Sequence, residues 1–596
     1  MTKNIASFVK LHYTDALCII ILTYILYLTL QPIDVRITDP DTKVILAIIT
    51  LAGIVIVTCI AQYFCKGIKK TYFHINWSDI FVTLWLVYFI MRAWFWTEIP
   101  CATDVIKGLM MFMSYFTLRL FFSFYHLRDK LLILFLLLFC GYETIMGISQ
   151  LTIGNDNHVF FILTGTFYNP GPYSACLVLG AVVILSMLHS EPNGMYLLTW
   201  RRAKTIYLYY CLLILTFLVL PATWSRSAFM ALAIICLWIY RDKYYRYRYY
   251  LWGAIIIVVI GLYFLKKGSA DGRMFIWLSS LTAWKHSPLI GTGIGSFFHA
   301  EAEGTSELFA NNGYMPLFDT ADITNFMCND YLKLMLEQGM IGALLCALAI
   351  ITMLVKLNRN SKSLCYAIVA LLIFSTTSYP FELLPYKLIV ILIAAWGNSQ
   401  PKIEATDKAN QREIHKPLFS MGKAHCLALS LVLVLGGAFL KTEMNKRIEA
   451  RLSYQVFSDS GQEIFINDYY ELLPLELEDS RFLFDFGKLL RTFRRYNDSN
   501  AILQKGTLVS NDPMFYVLMG NNYKDMKHYD MAEQAYQKAF SVMPNRLYPL
   551  YQLMMLYHDS GNIKKAKTMA KRVIEMKPKI ESPATKDMKK KAEEIL

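Results

Sequence analysis

The chain has 596 residues and a formal net charge of +14; 55% of its residues are hydrophobic and only 17% are charged. A soluble protein of this length carries about 25% charged residues, so the composition excludes an ordinary soluble globular protein and predicts a membrane protein. The positive balance is explained by Lys and Arg in loops that stay in the cytoplasm, and nucleic acid is not predicted as a partner.

Apolar runs long enough to cross the hydrocarbon core recur along the first 440 residues and predict about thirteen transmembrane helices. The first run lacks a small-residue cleavage site and precedes further spans, so it is expected to remain as a helix. The predicted spans are residues 15–31, 44–64, 79–97, 105–124, 130–150, 173–189, 205–221, 226–240, 250–265, 338–357, 363–379, 384–397 and 423–440.

Lys and Arg accumulate in the connections that follow the even-numbered spans, for example in "KGIKK" and "RDKYYRYR". This asymmetry places the N-terminus and those connections in the cytoplasm, because cytoplasmic loops retain an excess of Lys and Arg. The connections on the other side are poorer in both residues.

The span count divides the chain into four parts, the first of which contains a long loop. Residues 1–400 form a multi-span domain, 401–422 form a cytoplasmic linker, and 423–440 form the last transmembrane helix. Two hydrophilic regions are then expected on the outer side of the membrane: a loop at 266–337 and a tail at 441–596.

The twelve cysteines lie mostly inside apolar runs, where they behave as small hydrophobic residues. The sequence has no CxxC pair and no Cys/His cluster with metal-ligand spacing. Neither a metal site nor a cofactor is therefore predicted.

A 34-residue period runs through the tail and relates, for example, Ala532 to Ala566. This period is the tetratricopeptide spacing, in which each unit is a pair of helices. Two units are predicted at 513–544 and 547–578, and a degenerate one at 480–512. Stacked helix pairs form a concave surface suited to holding a polypeptide, so the tail is expected either to bind a protein partner or to act as a structural cap.

Arg226 lies at a short outer turn between two apolar runs, within "ATWSRSAF". An arginine there can simply snorkel to the interface. A second arginine, Arg273, begins the outer loop, and a pair of guanidinium groups suits an anion with several oxygens, such as a phosphate. Lys107, Arg92 and Lys387 are predicted near outer ends and are expected to add positive field. A prenyl-linked pyrophosphate at the membrane surface is one candidate ligand.

Several segments, taken in their order and spacing, resemble the O-antigen ligase family. They are "GTFYNPGPYSA", "TWSRSA", "GRMFIW" followed by "SPLIGTGIGSF", "NDYLKLMLEQGMIG" and "TSYPF". The superfamily includes lipopolysaccharide O-antigen ligases, O-antigen polymerases and bacterial protein O-oligosaccharyltransferases. The resemblance covers roughly residues 15–397, and the repeat-bearing tail is similar to an arrangement found in Bacteroidota members. It implies an all-α, GT-C-like membrane helix bundle followed by a helical solenoid.

The resemblance implies a metal-independent glycosyltransferase in the bacterial inner membrane. Such an enzyme takes a glycan from undecaprenyl pyrophosphate on the periplasmic face and moves it to an acceptor hydroxyl. Arg226 matches the arginine of the family's "SR" motif, Arg273 matches the one at the start of the large loop, and both are implied to hold the pyrophosphate. The favoured acceptor is the lipid A core, with another glycan chain or a protein Ser/Thr as alternatives.

One position departs from the family pattern. The family often has a histidine before the Asn of its "HNxYL" stretch, proposed to assist the acceptor hydroxyl, and this chain has Cys328 there. A thiol is a poor substitute for an imidazole. Either Asn329 and Asp330 orient the acceptor, or a carboxylate such as Asp319 or Asp322 takes the proton, so no general base is assigned.

Two functions of other classes compete with transfer. A lipid-glycan transporter would place ionisable residues near the bilayer midplane, whereas here most are predicted at outer ends. Glu143, inside the fifth span, is either a buried acid with a function or a structural hydrogen-bonding group. A membrane scaffold that only presents the repeats would have no need of paired outer arginines.

Overall fold

The computed structural model describes residues 20, 23–25, 27, 40–64, 73–95, 99–125, 127–155, 161–167, 169–190, 200–265, 267–400, 419–458 and 460–596. Within these residues nearly all regular structure is helical, so the all-α expectation is confirmed. The predicted span at 15–31 and the predicted linker at 401–422 lie largely outside the described residues.

The first part of the chain is a bundle of apolar helices. In chain order its elements are α1 (Pro40–Phe64), β1 (Phe73–Ile75), α2 (Trp77–Phe95), α3 (Ala102–Phe124), α4 (Asp129–Ile153), α5 (Pro170–Ser190), α6 (Trp200–Val219), α7 (Arg226–Ile239), α8 (Arg241–Tyr244), α9 (Arg248–Leu265), α10 (Lys267–Trp284), α11 (Phe297–Asn312), α12 (Asp330–Asn360), α13 (Lys362–Phe374), α14 (Leu384–Ser399), β2 (Phe419–Met421) and α15 (Lys423–Phe457). Eight of the described helices are long and apolar enough to cross a membrane, and α7, α13 and α14 are shorter apolar helices. From residue 44 onward, each predicted span coincides with a helix.

The largest apolar core surrounds α5, which is buried along most of its length. Gly180 on this helix faces α4 so closely that a Cβ atom there would lie 2.8 Å from Cys140 Cβ. Small residues allow this approach, and dispersion contacts between closely packed helices stabilise a membrane bundle. The bundle is therefore built outward from α5.

A buried ion pair and a small sheet close one end of the bundle. Arg119 on α3 lies 3.2 Å from Asp79 on α2, and its guanidinium also donates to the His74 carbonyl at 2.6 Å. His74 belongs to β1, which pairs antiparallel with β2. Because β2 lies at the end of the predicted linker, that end of the linker and the start of α2 are on the same side of the bundle.

Gly339 divides α12 at a kink, with φ 67° and ψ −172°. The turn that precedes α11 packs directly on this kink: the amides of Met340 and Ile341 donate to the Pro288 and Leu289 carbonyls at 2.9 and 3.2 Å. A Cβ atom on Gly339 would lie 2.2 Å from the Leu289 carbonyl oxygen, so only glycine fits here. The predicted start of the span at 338 corresponds to this kink.

The outer loop is itself folded. Helices α10 and α11 form a hairpin in which Gly304 contacts the backbone at Ser279, and a 3-10 turn at Pro316–Thr320 leads toward α12. The aromatic side chains of Phe275 and Phe318 lie in its core. The loop is thus a compact helical unit above the bundle.

The last membrane helix does not end at residue 440 as predicted. Helix α15 continues unbroken to Phe457, because "KTEMNKRIEARLSYQVF" contains good helix formers and neither Pro nor Gly. The repeat helices follow it: α16 (Ile466–Glu476), α17 (Ser480–Thr492), α18 (Tyr496–Gly506), α19 (Met514–Asp525), α20 (Tyr529–Val542), α21 (Leu547–Asp559), α22 (Ile563–Glu575) and α23 (Pro583–Ile595).

Salt bridges at the repeat period join successive units. Arg491 lies 2.7 Å from Asp525, and Lys524 lies 2.6 Å from Asp559. Arg491, Asp525 and Asp559 are spaced by one 34-residue period each, so they occupy equivalent positions in three successive helix pairs. The degenerate unit at 480–512 is thereby a structural member of the stack.

The repeat domain is docked on the outer loop and on the bundle. Asn511 donates to the buried Glu301 on α11 at 2.5 Å, and Lys538 lies 2.7 Å from Glu303 on the same helix. The Glu478 carboxylate accepts from the Thr103 amide at 3.0 Å and so caps α3, whose own N-cap residue makes no side-chain cap. The two hydrophilic regions therefore lie on the same side of the bundle.

Candidate active site

One turn, between α13 and α14, brings the predicted site residues together. The Thr377 carbonyl accepts from Arg273 Nη1 at 2.6 Å, and the Thr377 hydroxyl lies 2.7 Å from that of Ser227, the neighbour of Arg226. The Asp330 amide donates to the Ser375 carbonyl in the same turn at 3.2 Å. Three segments far apart in sequence therefore meet around residues 375–377.

Arg226 is the first residue of α7 and is partly exposed. Its charge and that of Arg273 repel each other, since each guanidinium lies in the field of the other. The N-cap residue, Ser225, makes no side-chain cap on this helix. Two cations and a helix N-terminus at one place form an arrangement that favours an anion.

Backbone strain accompanies both helix starts. Trp224, two residues before Arg226, has φ 51°, and Cys328, two residues before Asp330, has φ 56°. A non-glycine residue in the left-handed region is unfavourable and persists where the surrounding structure holds it in place. The Trp224 side chain is 69% exposed beside Arg226.

The segment 328–330 has mainly structural contacts. Asn329 is the N-cap of α12, and its Oδ1 accepts from the Leu332 amide at 3.0 Å. Asp330 accepts from the Phe381 amide at 3.1 Å and so ties α12 to the turn between α13 and α14. Burial raises the pKa of the Cys328 thiol, against the opposing effect of the Arg273 charge, so the thiol stays protonated near neutral pH.

The three additional predicted cations have different positions. Arg92 is buried and donates to the carbonyls of Ile290 and Gly291, both at 2.8 Å, so it holds the turn that packs on the α12 kink. It does not present its charge at the open surface, because a side chain this buried is committed to those carbonyls. Lys107 lies 3.5 Å from Asp41.

Lys107 and Lys387 both act electrostatically on Glu382, which the sequence suggested as an ion-pair partner of Lys387 or as a catalytic group at an outer turn. Glu382 lies 2.7 Å from Lys333 on α12. Burial alone would raise the pKa of Glu382, but Lys333, Lys387 and Lys107 hold it below its usual range. A mixed-charge cluster centred on Lys333 and Glu382 therefore lies beside the turn between α13 and α14. Asp330, which contacts this turn, is also repelled by the Glu382 charge.

The alternative acids are engaged in other contacts. Asp319 accepts from the Tyr314 hydroxyl, and Asp322 lies 2.9 Å from both Arg546 and Lys579 of the repeat domain. Glu143 is fully buried and accepts from the Thr166 amide and hydroxyl, so it holds the loop before α5. Among the described residues, no group of three or more His, Cys, Asp or Glu side chains is placed to hold a metal ion.

Two family models match parts of the chain. The O-antigen ligase family model matches residues 211–347, a region that contains Arg226, Arg273 and the 328–330 segment. The tetratricopeptide repeat model matches residues 515–546 and 549–580. No curated protein matches the chain. The expected resemblance is confirmed: the chain is a multi-pass membrane protein with an O-antigen ligase family region followed by C-terminal tetratricopeptide repeats.

Proposed function

We propose that the protein transfers a glycan from undecaprenyl pyrophosphate to an acceptor hydroxyl at the periplasmic face of the inner membrane, with the lipid A core as acceptor. The observation that carries this proposal is the convergence of Arg226, Arg273 and the N-terminus of α7 on the Thr377 turn. The family match supports glycan transfer of this general kind, with a lipid-linked donor.

The arginines would act on the leaving group. As the glycosidic bond breaks, negative charge grows on the pyrophosphate, and preorganised cations stabilise that charge without moving. Arg273 is anchored by the Thr377 carbonyl, which fixes the direction of its other N–H groups. We infer a metal-independent transfer, since two guanidinium groups and a helix N-terminus supply the positive field that a divalent cation would otherwise supply.

The acceptor oxygen would bond to the anomeric carbon while the carbon–oxygen bond to pyrophosphate breaks, and its proton must pass to a base. Cys328 does not fit this role, because its thiol is held protonated. Asp319 and Asp322 are tied to Tyr314 and to two repeat-domain cations. Asp330 is the carboxylate nearest in sequence to the family's histidine position, but burial and the Glu382 charge favour its protonated form. We propose that Asp330 orients the acceptor hydroxyl, with Asn329 fixing the start of its helix, and that the proton passes to solvent water.

The periplasmic placement rests on two arguments. The Lys- and Arg-rich connections define a cytoplasmic side. The loop and the repeats contact each other on the opposite side, where no connection is comparably basic. The site at residues 375–377 belongs to that outer half, since Asp330 begins the outer segment of α12.

A deletion strain complemented with variants tests the proposal. Loss of long-chain lipopolysaccharide with accumulation of lipid-linked glycan supports the ligase, single-repeat chains support a polymerase, and loss of protein glycan alone supports an oligosaccharyltransferase. Arg226→Ala and Arg273→Ala should each lower transfer by about 10²–10³-fold, the cost of losing one charge-stabilising donor. Arg241→Ala is the matched control, because this arginine is 68% exposed on α8. Full transfer by Arg273→Ala protein at normal membrane levels would refute the assignment.

A further inference from the structure

A cavity of about 570 Å³ lies between the outer loop and the last repeat units. Tyr314 and Asp319 form its loop wall, and Asn545, Arg572 and Lys577 belong to its repeat wall. Its size is in the range of small-ligand sites, which bury most of a ligand in a cleft with a few oriented polar groups. The pyrophosphate site described above does not include any of these residues.

Asn545 has an unsatisfied polar atom in this wall. Its side chain is 3% exposed, and its Nδ2 donates to the carbonyls of Ala321 at 2.7 Å and Asp319 at 3.3 Å. These two bonds fix the orientation of the amide, since only the nitrogen can donate. The Oδ1 atom is buried and accepts no hydrogen bond from the described residues. Asn545 therefore fixes the repeat wall to the loop segment at 319–321, and this contact holds the two walls of the cavity together.

The other wall residues have the chemistry of a carbohydrate site. The Tyr314 ring is 51% exposed and offers a flat apolar face. Arg572 lies over the Phe540 ring at 5.6 Å, which orients its guanidinium at the rim. Carboxylates accept from sugar hydroxyls and guanidinium groups donate to them, while an aromatic ring packs against the C–H face of a sugar. Asp319 accepts from the Tyr314 hydroxyl through one oxygen, and its second oxygen can accept from a sugar hydroxyl on the loop side.

We propose that this cavity binds a short stretch of the donor glycan, two or three sugar units long, at a distance from the reacting end. This inference rests on the proposed function for the identity of the glycan. A folded loop and a repeat wall close the cavity on two sides, and Lys579 ties them together through Asp322 and the Ala321 carbonyl. An extended peptide would need a groove that continues along several repeat units, whereas this cavity is confined to the outer loop and the last units, so a glycan fits it better.

The cavity is also connected to the site by the chain itself. Asp322 is six residues before Cys328, and the intervening segment runs from the cavity wall to the turn between α13 and α14. Trp277 holds this segment by donating to the Met327 carbonyl at 3.2 Å. A glycan in the cavity would therefore lie against the same segment that precedes Asp330.

Glycan binding to the full-length protein in detergent tests the proposal without requiring turnover. The probe is the free oligosaccharide released from the lipid-linked donor of the host, and binding is followed by saturation-transfer NMR and titration. Tyr314→Ala and Arg572→Gln should each raise the Kd by tenfold or more. Tyr529→Ala, at a 38% exposed tyrosine on α20 outside the cavity wall, should leave the Kd unchanged.

The outcomes separate the two proposals. If the wild-type protein does not bind the oligosaccharide, if both cavity variants bind it as tightly as wild type, or if a Ser/Thr-rich peptide binds in its place, the cavity assignment is overturned even when transfer is normal. If the cavity binds glycan while Arg226→Ala and Arg273→Ala transfer normally, the transferase site is wrong and the cavity assignment stands.

Discussion

Replacing Glu301 by glutamine should strengthen the docking of the repeat domain on the outer loop above neutral pH. Glu301 is 3% exposed on α11 and meets one donor, Asn511, across the interface. Burial raises the pKa of this carboxyl to about 7, although the hydrogen bond from Asn511 acts in the opposite direction. Undocking returns the carboxyl to water, where its pKa is the ordinary 4.5.

The magnitude follows from the difference between these two pKa values. Between pH 4.5 and 7 the docked state binds more protons than the undocked state, so docking weakens as the pH rises through this window. At 1.36 kcal/mol for each pKa unit, the penalty is about 3 kcal/mol at pH 8 and about 1 kcal/mol at pH 5. Glutamine carries no charge and keeps an oxygen for Asn511, so Glu301→Gln should remove most of this penalty.

Hydrogen–deuterium exchange of α11 and α20 in the detergent-solubilised protein measures the docking locally. After correction for intrinsic exchange, wild-type protection should fall by one to two orders of magnitude between pH 5 and 8, and Glu301→Gln protein should remain protected. Glu307→Gln, on the same helix at a side chain that is 38% exposed, is the control. Equal loss of protection in wild type and Glu301→Gln would show that this carboxyl does not control docking.

Three further changes probe the contacts that position the site. Glu478→Ala should lower the hydrogen-exchange protection of the first turn of α3 by about 1 kcal/mol, the usual cost of losing a helix cap. Glu471→Ala should leave this protection unchanged. Unchanged exchange at Thr103 in the Glu478→Ala protein would argue against the cap. Gly339→Ala should reduce the yield of folded protein and the midpoint of thermal unfolding, because a Cβ atom there clashes with the Leu289 carbonyl. Gly268→Ala should be tolerated, because a Cβ atom at that position meets nothing within 4 Å. Equal midpoints for the two variants would contradict the described kink. Asp322→Asn should speed proteolytic cleavage of the outer loop, because it removes the ion pairs of Asp322 with Lys579 and Arg546. Burial raises the pKa of Asp322, but these two cations lower it by more, so the wild-type loop should become equally sensitive only once acid protonates this group. Resistance of the variant at neutral pH would show that these ion pairs do not hold the loop.

Features governed by run length or period could be predicted from the sequence. Apolar runs near 20 residues identified the spans because the hydrocarbon thickness is fixed. The 34-residue period identified the two repeat units that the family model also matches, because repeat helices contact mainly their neighbours in sequence. The continuation of α15 beyond the predicted span at 423–440 could not be predicted, since hydropathy marks where the membrane ends and not where the helix ends.

Roles that depend on contacts between residues far apart in the chain could be predicted less well from the sequence. Arg92 and Arg226 look alike in the sequence, as arginines near the outer end of an apolar run. Arg92 is buried against the carbonyls of Ile290 and Gly291, whereas Arg226, beside the turn at Thr377, is partly exposed. Asn329 did carry a usable signal, because an asparagine just before an apolar helix is a typical N-cap.

Helix α15 has a mechanical consequence for the whole molecule. Its 35 residues make a rod of about 52 Å, which exceeds the roughly 30 Å of hydrocarbon by some 20 Å. The repeat stack follows this rod, and Glu478, between α16 and α17, ties the stack to the start of α3. While the contacts to α3 and α11 hold, the solenoid stays at a set height above the bundle, so room for a bulky substrate has to come from movement of the loop beneath it.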